Sequence, residues 1–83
     1  MKKRFEFVTE KGTEIVIFAE VLSRSITKNV RVNGVWYHNF STTEKNGVKC
    51  IRMEKGLIKV SLSIWDELEE MFADEEADYG GRF

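Results

Sequence analysis

The hydrophobic pattern of this chain changes period once, and late. Up to about residue 62 apolar residues tend to alternate with polar ones, the spacing of a strand with one covered face. Ile64, Trp65, Leu68, Met71 and Phe72 instead fall within roughly a third of a helical wheel at about 100° per residue, with Asp66, Glu67, Glu69 and Glu70 outside it. Strands followed by one amphipathic helix must bury the helix stripe against the sheet, because neither apolar surface is stable in water by itself. The pattern predicts an α+β fold: an antiparallel sheet of five to six short strands with one C-terminal amphipathic helix packed on it.

Turn chemistry orders the strands. Phe5-Glu6-Phe7-Val8-Thr9 alternates, and Lys11-Gly12 supplies a tight turn into residues 13–22. This second arm carries Ile15, Ile17, Ala19 and Val21 on one face and Val16, Phe18 and Leu22 on the other, which predicts a central strand covered on both sides. Residues 23–29 read as a basic loop with Arg24 and Lys28. Asn33-Gly34 between β-branched residues favours a type I′ turn, and its two-residue loop would pair Val32 with Val35, Arg31 with Trp36 and Val30 with Tyr37. His38 and Phe40 then continue the Arg31/Trp36 face. Residues 41–46 read as a polar loop, residues 48–53 and 57–62 as two further strands. The helix is capped by Ser61 or Ser63, with Val60 placed to staple against Trp65 if Ser61 is the cap. Glu75 falls inside the apolar stripe, so packing should end near Ala73. The expected organisation is a single α+β domain over residues 1–73 and an acidic C-terminal tail over residues 74–83.

Eighty-three residues suffice for one hydrophobic core. One cysteine, Cys50, cannot form an internal disulfide, and with one histidine, His38, there is no Cys/His set for zinc. Cys50 lies in a strand-like run and reads as a buried, inert thiol. No phosphate-binding glycine loop, nucleophile elbow or catalytic triad is present, and the acidic residues lack the spacing of a calcium loop. We therefore expect no enzymatic activity, cofactor or metal. No long apolar run or secretion signal is visible, which gives a cytoplasmic expectation, in a host cytoplasm if the chain is phage-encoded.

Charge is unevenly distributed. Residues 1–65 hold twelve Lys/Arg against six Asp/Glu, a net of +6, and residues 66–83 hold eight Asp/Glu against Arg82, a net of −7. Two interaction surfaces follow. Asp66, Glu67, Glu69, Glu70, Asp74, Glu75, Glu76 and Asp78, with Phe83 at the end, would engage a basic protein partner that handles nucleic acid, the carboxylates imitating a phosphate backbone. Arg24, Lys28, Arg31, Trp36, His38, Lys49 and Arg52 would alternatively bind single-stranded nucleic acid, because cations neutralise phosphates and aromatic faces stack bases. Trp36 and Phe40 have a competing structural role as core beneath the helix. An uncovered sheet edge leaves a homodimer open.

The outline of residues 74–83, acids followed by a terminal Phe, resembles the acidic tails of bacterial and phage single-stranded-DNA-binding proteins, which implies docking of Phe83 into a partner. Lys55-Gly56 followed by Ser61, Trp65 and Leu68 is similar to the last strand and helix of the positive-cofactor-four-like single-strand-binding fold. The Lys-rich start, strand-Lys-Gly-strand opening and acidic end resemble small phage-encoded proteins, anti-CRISPR inhibitors among them. That resemblance implies inhibition of a nucleic-acid-handling host enzyme.

Overall fold

The computed structural model describes the backbone of residues 1–80 and the side chains of residues 1–73. Seven strands precede the helix: β1 (Lys2–Val8), β2 (Glu14–Val21), β3 (Ile26–Val32), β4 (Val35–Tyr37), β5 (Ser41–Lys45), β6 (Val48–Met53) and β7 (Gly56–Lys59), then α1 (Leu62–Gly80). They form two antiparallel sheets, not one. β1-β2-β3-β4 is the first and β5-β6-β7 the second, each a meander of sequence neighbours.

The division falls where the expected strand breaks. β4 is only three residues long, the chain bends at His38, and Phe40 drops into the core at 3% exposure instead of continuing the face of Trp36. Its ring lies 5.9 Å from that of Phe72 in a tilted arrangement, so burial against the helix takes precedence over extending β4. The expected polar loop at 41–46 is also corrected, since residues 41–45 are strand β5. That strand has no apolar face of its own. It is held by pairing with β6 and by α1, where the Thr42 hydroxyl donates to Glu69 and the Trp65 indole donates to the Thr43 carbonyl at 3.0 Å.

Both Asn-Gly pairs turn hairpins. Asn33 and Gly34 have φ of 48° and 86°, Asn46 and Gly47 have φ of 52° and 80°, and in each case two residues separate the paired positions, Val32 with Val35 and Lys45 with Val48. Positive φ at both positions is the type I′ signature, and Asn and Gly are the residues that adopt it at least expense. The predicted pairing of Arg31 with Trp36 and of Val30 with Tyr37 holds.

β2 is central in the first sheet, as expected, with Ile15, Ile17 and Ala19 fully buried on the face toward the helix. On its other face Val16 is also buried, with Glu6 and Arg31 as its register partners. The core joins Ile15, Ile17, Ala19 and Val30 of the first sheet to Ile51 of the second through Leu68, Met71 and Phe72 of α1. Ser61 caps the helix, its hydroxyl accepting from the Ile64 amide at 3.3 Å. Phe72 is buried and Ala73 exposed, and the expected end of packing near Ala73 falls at the limit of the described side chains. The helical backbone nevertheless continues to Gly80. No helix among the described residues is long and apolar enough to cross a membrane.

Leu68 is wholly buried between the sheets, so Leu68→Ala should lower stability by about 2–5 kcal/mol in urea unfolding. A chain ending at Leu62 should have no cooperative melt. A cooperative transition retained by that truncated chain would show the helix to be dispensable.

Candidate nucleic-acid interface

Where the chain passes from one sheet to the other it leaves a groove of about 820 Å³, within the roughly 300–1,000 Å³ range of ligand sites. Its lining comprises Lys28, Trp36 and Tyr37 of the first sheet, Arg52 and Met53 of β6, Glu54 of the turn after β6, and residues 38–41 that join the two sheets. Four of the seven expected nucleic-acid-binding residues, Lys28, Trp36, His38 and Arg52, thus meet at one place from four separate segments. Their convergence on a groove depends on the two-sheet division.

The chemistry of each member differs. Trp36 is 40% exposed and belongs to no core cluster, so the role of core residue beneath the helix falls to Phe40 alone. The Arg31 guanidinium sits 5.6 Å from the Trp36 ring centroid, a cation–π contact at the groove margin. His38 is exposed, its Nδ1 3.3 Å from the Asn29 side-chain oxygen. Lys28 lies 4.3 Å over the Phe72 ring, which fixes its stem against the helix while its ammonium remains a donor. Arg52 and Glu54 are exposed and make no ion pair or side-chain hydrogen bond among the described residues.

The other expected cations lie elsewhere. Arg24 is exposed in the β2–β3 connection and does not line the groove. Lys49 is committed to its own surroundings, 4.3 Å over the Trp65 ring and paired with Glu44. Tyr37, Asn39, Ser41, Met53 and Glu54 also line the groove, with no motif in the sequence to mark them.

The acidic set is divided as well. Glu67 pairs with Lys3 at 2.5 Å and Glu69 accepts from Thr42, so these two carboxylates attach the helix to β1 and β5. Asp66 and Glu70, four residues apart and therefore on one helix face, are exposed with no such partner among the described residues. Asp74, Glu75, Glu76 and Asp78 lie on the helical backbone, but their side chains are outside the described residues, as is Phe83 altogether. Cys50 is buried as expected, its thiol directed to the Val48 carbonyl at 3.6 Å.

Exposure separates the two aromatics of the crossing. Trp36→Ala should change stability by about 1 kcal/mol or less, whereas Phe40→Ala should lower it by about 3–5 kcal/mol, both read from urea unfolding. Equal losses would contradict the assignment of Trp36 to the surface. No protein-family model, curated protein or solved structure matches this chain.

Proposed function

We propose that this chain is a non-enzymatic binding module that holds single-stranded nucleic acid in the groove between its two sheets. The observation that carries the reading is the meeting of an exposed tryptophan with Lys28, His38 and Arg52 in one groove, with Arg31 beside the ring. A base stacks on the Trp36 ring while Lys28, Arg31 and Arg52 neutralise the flanking phosphates. Such binding needs no catalytic group, and stacking tolerates any base because each has a π-face.

With about three phosphates neutralised, the logarithmic salt slope should be near −2, a loss of roughly 20-fold between 50 and 200 mM salt. Trp36→Ala should weaken binding by about 1–3 kcal/mol with the fold intact, measured by anisotropy of a labelled oligonucleotide. No binding of single-stranded oligonucleotides at 50 mM salt would eliminate this function.

A second function, protein interaction through the acidic helix, is favoured by the continuity of α1 through Gly80. Asp66 to Asp78 spans twelve helical rises, about 18 Å, so the six carboxylates other than Glu67 and Glu69 give roughly one charge per 3 Å against about 1.7 Å for duplex DNA. A helix with that charge density suits a basic, nucleic-acid-handling partner and an inhibitor of phage type, anti-CRISPR-like in manner, acting in the cytoplasm. The substitutions Asp66→Asn and Glu70→Gln should then release a basic partner recovered from lysate at low salt while leaving oligonucleotide binding unchanged. Partners retained equally by that double variant would count against the helix as the contact.

A further inference from the structure

We infer that the groove prefers guanine over the other bases, through Arg52 and Glu54 acting on one base; this rests on the groove being a single-strand site. A carboxylate is unexpected in a site for a polyanion, since it repels every phosphate that approaches. Glu54 nonetheless lines the groove, two residues from Arg52, and neither side chain is paired with the other or with any other described residue. Both are exposed, one a donor-only fork and the other an acceptor-only pair of oxygens.

Two such groups, left unpaired in a groove that an aromatic ring also lines, have complementary demands. The guanidinium is satisfied by two adjacent acceptors; a phosphate supplies them beside the other bases, and guanine offers O6 and N7 in its place. The carboxylate is satisfied by two adjacent donors, and guanine offers N1–H and the N2 amino group, an edge that single strands leave open. Adenine and cytosine each present an amino donor flanked by an acceptor, and thymine a lone N–H between two carbonyls. Only guanine offers both a pair of donors and a pair of acceptors, so only guanine turns Glu54 from a repulsive group into a recognising one. Selectivity arises partly by rejection: a base that leaves the carboxylate unpaired retains its repulsion toward the phosphates.

The test uses the full chain and labelled five-nucleotide strands, thymine at four positions and guanine, adenine, cytosine, thymine or inosine at the centre, at 50 mM salt. The guanine strand should bind about 10-fold more tightly than the adenine, cytosine and thymine strands. Inosine, which lacks the N2 amino group, should lose most of that advantage. Glu54→Gln should bring all five strands to within about 2-fold of one another and tighten the all-thymine strand, with an unchanged melt because the residue is exposed in a turn. Equal affinity for the four natural bases, with all weakened by Trp36→Ala, would overturn the guanine preference and leave the groove as the binding site. A guanine preference that survives Glu54→Gln would overturn the role of Glu54. Absence of binding to every strand would overturn both the preference and the site.

Discussion

The burial of one helix face between two sheets is the interaction on which the rest of this molecule depends. Leu68, Met71 and Phe72 belong to the same core as Ile15, Ile17 and Val30 on one side and Ile51 on the other, while backbone pairing stays within each sheet. Each large side chain buried is worth about 1.5–3 kcal/mol, so three or four of them match the total stability of a small domain. The groove is a consequence of that joint. Its lining draws on both sheets, and their separation is set by how the helix seats them.

Local signals in the chain were strong enough to place most elements. Asn33-Gly34 determined a turn type, a loop length and hence the pairing of Arg31 with Trp36; the stripe from Ile64 to Phe72 placed the helix and the face it buries. What could not be read was governed by contacts distant in sequence. Ser41-Thr42-Thr43 has no apolar alternation, and becomes a strand because β6 and the helix supply its partners. Phe40 follows the face of Trp36 in any extended register, and departs from it because Phe72, thirty-two residues on, gives it a better environment. The candidate site suffered most, since a groove made by two sheets has no linear signature.

Charge serves structure and recognition in different proportions than the sequence suggests. Glu67 and Glu69 attach the helix to the sheets, and half-exposed pairs of this kind contribute at most about 1 kcal/mol, more to orientation than to stability. Lys28 and Lys49 lie over aromatic rings of the helix, so part of the positive surface is anchored before any ligand arrives. A cation held in place loses less conformational freedom on binding than one on a free stem. Lys28, which is both anchored and in the groove, combines the two roles.

The meander order of both sheets also bears on how the chain reaches its fold. The connections between paired strands run from two to five residues, so each sheet can zip from its own turns with little loop-closure entropy. The helix is the exception: the Lys3–Glu67 pair spans sixty-four residues, so the segment that joins the sheets docks across a far longer separation than any hairpin. On refolding from denaturant, strand pairing within each sheet therefore has less loop-closure entropy to overcome than docking of the helix. Until it docks, the apolar faces of both sheets stay uncovered, and that stage is the one most open to association between chains.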